Sequence, residues 1–192
     1  MKNKIILAVV GMCGSGKSEI VKYLVKKFNW PVVYLGAITF DWMKKKKIAL
    51  NYQNEKFARE KIRALYGMGA YAKLSMPLIA KLLKKNKAVI VESLYSWSEY
   101  KILKKKYGDN FRVIAAQASP AIRFRRLKTR KNERPMKNYA EFKARDYSEI
   151  ENIEKGGPIV MADYTILNEE KLEDLQQKLE KIIIPKIKIA LK

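Results

Sequence analysis

Lys17 and Ser18 close the octapeptide Gly11-Met12-Cys13-Gly14-Ser15-Gly16-Lys17-Ser18, whose spacing G-x-x-x-x-G-K-[ST] is suited to gripping a polyphosphate. Gly11, Gly14 and Gly16 keep side chains out of the way, so that successive backbone N–H groups can face phosphate oxygens. Lys17 is expected to reach the β- and γ-phosphates of ATP, and the Ser18 hydroxyl to ligate a magnesium ion bridging them. Cys13, Ser15 and Glu19 complete the stretch expected to contact the nucleotide. Cys13 sits at a variable position of the pattern, where redox control and a neutral filler are both open readings.

Other charged residues could meet the same anion. Glu92 follows the apolar run 88–91, and ligands gather at the carboxyl ends of strands in open parallel sheets. It could hold magnesium through water, orient an acceptor, or act as a structural carboxylate. Arg123, Arg126 and Arg130 are spaced three and four apart and are read as one face of a helix announced by Ser119-Pro120. Three guanidinium groups on one face must point at an anion or at solvent. Beside a triphosphate, the transferred phosphoryl group is the natural anion. Arg59 and Arg63 lie one turn apart on another predicted helix, and Arg145-Asp146 on a third.

The elements that must position these groups are legible as alternating strands and helices. Residues 5–10 form a continuous apolar run, expected of a strand buried on both faces. After the loop, Ile20, Val21, Leu24, Val25 and Phe28 recur at helical spacing, and the positive end of that helix points at the phosphates. Residues 31–35 read as a second strand closed by Gly36, and 40–47 as a helix or loop on the rim. A helix is predicted over 52–66, with Phe57, Ala58, Ile62, Leu65 and Tyr66 toward the core. Gly67-Met68-Gly69 interrupts it, and a further helix over 70–85 is expected to kink near Pro77. A strand at 88–91, a basic helix at 96–107, turn chemistry at 108–110 and a strand at 111–116 follow. The polar stretch 132–138, with Arg134-Pro135, reads as a connection before a helix over 139–155 that Gly156-Gly157-Pro158 ends. A strand at 162–167 precedes Asn168, read as a cap. A closing helix striped with Leu172, Leu175, Leu179, Ile182 and Ile183 is then expected to stop at Pro185, leaving a basic apolar tail, 186–192. The alternation predicts an α/β fold: a parallel sheet of about five strands with helices on both faces.

A chain of 192 residues suits one such domain. Its 41 basic against 19 acidic residues, a formal +22, favour polyanionic partners. The lysines are scattered, as on solvated helix faces. No apolar stretch approaches a membrane span, and Lys2 and Lys4 run straight into the first strand with no leader. The single cysteine cannot form an internal disulfide, so a reducing, cytoplasmic setting is expected. Histidine is absent, which suits phosphoryl transfer because that chemistry leans little on a general base.

These residues together resemble the nucleoside monophosphate kinase branch of P-loop proteins. More closely, the chain resembles adenylate-kinase-related, dephospho-CoA-kinase-like proteins best represented in archaea. The similarity is carried by 11–19, by Tyr107-Gly108-Asp109-Asn110-Phe111, by Ala118-Ser119-Pro120 with Arg123-Phe124 and Arg126-Leu127, and then by Phe142, Arg145-Asp146, Ala162-Asp163-Tyr164 and Asn168-Glu169. The resemblance implies a sheet of order 2-3-1-4-5 in a single domain, with a core at 1–36, 87–119 and 156–192, an acceptor-binding insert at 37–86, and a lid at 120–155. It implies ATP and Mg2+ as cofactors, with Ser18 and, through water, Glu92 toward the metal. Lys17, Arg126, Arg130 and Arg145 would be catalytic, and Arg59, Arg63, Glu92 and Tyr95 would face a phosphate-bearing acceptor. The chain departs from its relatives at two places. Ala37 follows Gly36 where they carry Gly-Asp, and Glu92-Ser93-Leu94-Tyr95 stands where they tend to read Asp-Gly-x-Arg. The expected function is transfer of the γ-phosphate to a nucleoside monophosphate or dephospho-CoA-like acceptor by a monomer or dimer. The alternative is a nucleotide-dependent ATPase or binding module acting on RNA or another polyanion.

Overall fold

Five parallel strands, β1 (Ile5–Val10), β2 (Val32–Tyr34), β3 (Ala88–Glu92), β4 (Phe111–Gln117) and β5 (Tyr164–Leu167), form one sheet of order β2-β3-β1-β4-β5. The computed structural model describes residues 3–130, 136 and 138–191. β1 lies in the middle, paired with β3 from Ile5 opposite Ala88 to Val9 opposite Glu92, and with β4 from Ile6 opposite Phe111 to Val10 opposite Ala115. All six of its residues are buried. A central parallel strand covered on both faces has no polar side, which is why its sequence does not alternate.

The alternation is instead between two cores. Ile6, Ala8 and Val10 face one side with Val89, Val91 and Val113, beneath α4 (Ala70–Lys85) and α5 (Trp97–Tyr107). Ile5, Leu7 and Val9 face the other with Ile90 and Ile114, beneath α1 (Lys17–Phe28) and the C-terminal helices. Helices α1, α4 and α5 end in lysines: Lys26 and Lys27, Lys84 and Lys85, and Lys104 to Lys106. Cations are favoured there by the helix dipole. Seven of the lysines thus sit at the ends of helices that return from the phosphate-loop edge of the sheet. Among the described residues no helix is long and apolar enough to cross a membrane.

The segment 37–86, expected as an insert, holds α2 (Ala37–Lys45), α3 (Tyr52–Tyr66) and α4. α2 begins three residues earlier than the rim segment read from sequence, and α4 carries Pro77 in its interior without ending there. On α3 only Ala58 and Ile62 are buried, whereas Phe57, Leu65 and Tyr66 are exposed. α3 lies at the outside of the insert, so only a stripe one turn wide is covered.

Three boundaries differ from expectation. α6 (Pro120–Lys128) ends before Arg130, so the three arginines do not share one helical face. α7 (Tyr139–Glu151) stops short of 155 because Glu154 takes a left-handed conformation, φ 53°, and Gly156-Gly157-Pro158 begin α8 (Gly156–Val160) instead of ending α7. Pro158 is tolerated in a first turn, where its missing N–H would have no helical partner. Pro185 does not stop the last helix either. α9 (Leu172–Lys178) passes through a π turn, Leu179–Ile183, into α10 (Ile184–Ala190), where proline occupies the first turn. The π turn lets the chain pass the proline and keeps Ile184 and Ile187 on the stripe buried with Leu175, Leu179 and Ile183. Leu172 and Ile182 are exposed. Within the segment read as a tail, Ile187 is thus part of the core, and Ala190 and Leu191 pack against it. The predicted connection 132–138 lies outside the described residues apart from Met136 and Asn138, as does Lys192.

Candidate nucleotide site

β1 delivers the chain into the glycine loop, and α1 begins at Lys17. Gly14 has φ 82°, and a Cβ there would lie 2.8 Å from the Arg123 carbonyl oxygen; Gly16 has φ 98°, and its Cβ would run into the Asn168 amide. The loop is thus packed from outside by two residues distant in sequence, and glycine is demanded by both backbone and space.

Arg123 is one of these braces. Its guanidinium is buried and donates to both carboxylate oxygens of Asp146, at 3.0 and 2.6 Å, to the Cys13 carbonyl at 3.2 Å and, through Nε, to the Ala118 carbonyl at 3.1 Å. Phe142 lies beneath it, 4.9 Å from ring centroid to Cζ. The sequence reading that turned Arg123 toward an anion or solvent is corrected: its charge is met by α7, and it supports the loop's backbone. Asn168 is the second brace and not a helix cap, since Lys171 occupies the cap of α9. Asn168 Nδ2 donates to the Ser15 carbonyl at 2.9 Å. Arg126 in turn donates to the carbonyls of Asn168, at 2.8 Å, and Glu170, at 3.0 Å. Ser119 stands at the N-cap of α6, but its hydroxyl donates to Glu169 instead of receiving the helix N–H. Asn168→Ala should weaken nucleotide binding about tenfold and cost about 1–2 kcal/mol of stability, read by calorimetric titration and denaturant unfolding. Unchanged affinity would remove it as a loop support.

Lys17 is partly buried and donates to the Met12 carbonyl at 3.0 Å. Burial, and then the charge of Lys155, lower its pKa from 10.5 to about 7, with Arg145 acting in the same direction and Cys13 and Glu149 opposing. Arg145 donates to Glu149 at 3.2 Å, and Lys155 is paired with the other oxygen of that carboxylate. Burial alone would push the Glu149 carboxyl up, but Lys155 and Arg145 hold it below its ordinary value. Lys155 Nζ also lies over the Tyr95 ring, 4.4 Å from its centroid. Tyr95 shares a 3.1 Å hydrogen bond with Ser93 Oγ, and burial raises its hydroxyl pKa. Ser93 takes φ 67°, a left-handed conformation rare outside glycine, directly after Glu92.

The other expected contacts are placed as follows. Ser18 is exposed in the first turn of α1, and Glu19 beside it pairs with Lys22 at 2.8 Å on the surface. Glu92 ends β3 level with Val9, partly buried at the carboxyl edge of the sheet. Arg130 is exposed just beyond α6. Among the described residues no group of three His, Cys, Asp or Glu could hold a metal. Magnesium binds through one or two protein oxygens, waters and phosphates, and Ser18 and Glu92 at this edge suit that habit.

On the insert, Arg63 Nε is buried without a hydrogen-bond partner among the described residues, and its Cζ lies 5.2 Å from the Tyr71 ring centroid. The Tyr71 hydroxyl is 2.8 Å from Thr39 Oγ1, and Arg59 pairs with Glu55 at 3.3 Å. Thr39, Tyr71, Glu149 and Lys155 are residues that sequence reasoning did not single out. The i,i+4 spacing of Arg145 and Glu149 was a usable signal. Nothing in the sequence pointed to Lys155, because its position depends on the left-handed turn at Glu154.

The geometry can be set beside known proteins. A family model described as an AAA domain matches residues 7–155. The UPF0200 protein of Thermococcus sibiricus is 34% identical over 178 residues, covering 92% of this chain and 93% of the relative. UPF0200 protein PF1294 of Pyrococcus furiosus is 34% identical over 179 residues, covering 93% and 95%. Among solved structures, TT1252 from Thermus thermophilus is similar at a TM-score of 0.63 and 22% identity, over 96% of this chain and 98% of that one. Shikimate kinase from Bacteroides thetaiotaomicron is similar at 0.60 and 16% identity over 93% and 98%, and a gluconokinase from Sinorhizobium meliloti at 0.53 and 12% over 100% and 93%. The likeness to solved kinases establishes the fold, and that to the archaeal proteins the family: the chain is a member of the UPF0200 group of AAA-domain proteins, built on a P-loop kinase fold.

Proposed function

We propose that the protein transfers the γ-phosphate of Mg-ATP to a small anionic acceptor held against the insert, a nucleoside monophosphate or dephospho-CoA-like molecule being the favoured class. The observation that carries this reading is the glycine loop between β1 and α1, braced on Arg123 and Asn168 with its backbone free to face a polyphosphate, and with Lys17 near enough to Lys155 and Arg145 for their charge to help lower its pKa to about 7. Buried like charges are expensive. A polyphosphate in the loop would relieve that cost and restore the Lys17 charge.

The reaction is in-line displacement. An ionised phosphate oxygen of the acceptor, or a hydroxyl oxygen that gives up its proton to solvent, forms a bond to the γ-phosphorus, the bond from that phosphorus to the β,γ-bridging oxygen breaks, and ADP leaves with the bonding pair. Lys17 and Arg145 stabilise charge on the transferred group, while Arg63, with its unsatisfied Nε, and Arg59 one turn away hold the acceptor's anion. Magnesium, held through Ser18 and Glu92, would neutralise charge on the phosphates. Arg130, within the lid, would close over the nucleotide and exclude water from the transfer, joined by Arg126 once it leaves the carbonyls of Asn168 and Glu170.

The test is an assay of Mg-ATP against a panel of nucleoside monophosphates and dephospho-CoA, with a Lys17→Ala control. Shikimate and gluconate extend the panel to carboxylates, as the names of the structural neighbours suggest. Arg145→Ala and Arg126→Ala are each expected to lower turnover at least about tenfold. Unchanged turnover would remove the residue from the mechanism. The second reading, an ATPase acting on RNA, is favoured by the +22 charge. It predicts hydrolysis stimulated by RNA with a steep salt dependence, and no transfer to any small acceptor.

A further inference from the structure

Lys155 has the surroundings of a ligand-binding group, not of a surface lysine. It is 2% exposed. Its backbone N–H donates to the Glu149 carbonyl at 3.2 Å, and its side chain returns to the carboxylate of the same residue. The return is made possible by the left-handed turn at Glu154, φ 53°, a conformation that costs free energy in a non-glycine residue. Under the ammonium lies the face of Tyr95, 4.4 Å from Nζ to the ring centroid. Arg145 is held by the other oxygen of Glu149. One carboxylate therefore aligns two cations, and the helix that carries it is joined to the phosphate loop through Asp146, which accepts from Arg123, whose guanidinium also donates to the Cys13 carbonyl.

Two cations sharing one carboxylate, one of them the buried Lys155, leave positive charge unmatched beside the loop. Structural ion pairs balance their charges, because an uncompensated buried charge is strongly destabilising. We infer that Lys155 is a phosphate-binding residue of the nucleotide site, contributing a second ammonium beside that of Lys17 to the terminal phosphate of a bound nucleoside triphosphate, with Glu149 as the residue that positions it. The inference rests on the functional reading above and adds to it a group from outside the glycine loop.

The consequence is discrimination between triphosphate and diphosphate. Lys155→Met, Lys155→Arg and the unaltered chain should be compared by calorimetric titration with magnesium β,γ-imido-ATP and with magnesium ADP. The expected result is that Lys155→Met narrows the ratio of the two affinities about tenfold, mostly by weakening the triphosphate, and that Lys155→Arg restores most of it. A merely structural lysine would lower the melting temperature and leave that ratio unchanged, which would overturn the inference. Should Lys155→Met fail to fold, lysine-labelled wild-type protein gives the answer. The buried Lys155 Nζ resonance, assigned with Lys155→Arg, should shift with the imido-triphosphate and much less with ADP, and equal shifts would overturn the inference. A wild-type chain that binds neither nucleotide removes the functional reading and this inference together. One that discriminates between them, with an unchanged ratio in Lys155→Met, removes this inference alone.

Discussion

Lys17→Met is expected to raise the melting temperature of the nucleotide-free protein at pH 7 while abolishing its response to Mg-ATP. Lys17 titrates at about 7 in the folded chain against 10.5 as its ordinary value. Between those two pH values the unfolded chain binds the extra proton, so folding stability rises with pH across that window. Below pH 7 both states carry the charge, and the folded state bears the full penalty of holding it beside Lys155 and away from water. One unit of pKa corresponds to about 1.4 kcal/mol, so the penalty is on the order of a few kcal/mol. With about 2–4 °C per kcal/mol for a chain of this size, methionine should raise the melting temperature at pH 7 by at least about 5 °C, the gain fading toward pH 10. In the wild-type protein, nucleotide binding at pH 8 should be accompanied by proton uptake, since polyphosphate favours the charged lysine. Calorimetry in buffers of different ionisation enthalpy reads that uptake, and Lys17→Met should show none. A variant less stable than wild type across the whole range would refute the stored charge penalty.

The second large effect concerns the Arg123 and Asp146 pair. Asp146→Ala leaves a buried guanidinium with carbonyl partners alone, and breaking such a pair costs about 3–5 kcal/mol. The melting temperature should fall by roughly 10 °C. The double variant Arg123→Met with Asp146→Leu should recover most of that loss, because apolar groups of similar volume replace buried pairs at little cost. It should not recover nucleotide affinity, since the Cys13 carbonyl loses its donor while the backbone of residue 123 still packs against Gly14. The two measurements separate fold support from loop support. Wild-type melting in Asp146→Ala, or wild-type affinity in the double variant, would contradict this assignment.

Arg123 also marks the limit of reading along the chain. Its spacing to Arg126 and Arg130 is real, yet α6 ends before Arg130, and the carboxylate that claims Arg123 lies on another helix. Phe57, Leu65 and Tyr66 on α3 failed for a related reason. Helical spacing reports which residues share a side, not how wide a strip the neighbours cover.

What the sequence by itself determined is local. The glycine spacing, the apolar runs of β1 and β3, and the turns at 67–69 and 108–110 are set by sterics and hydrogen bonding within a few residues, and they place the phosphate loop between β1 and α1. The sheet order followed from resemblance to related chains, and the strand pairing bears it out. Only the tertiary structure decided that Asn168 would hold Ser15, that Glu149 would join Arg145 to Lys155, and that the helix would pass Pro185 into the core. Charge and packing act through space. A buried cation takes whatever carboxylate the fold brings within reach, and that choice has no spacing along the chain from which it could be read.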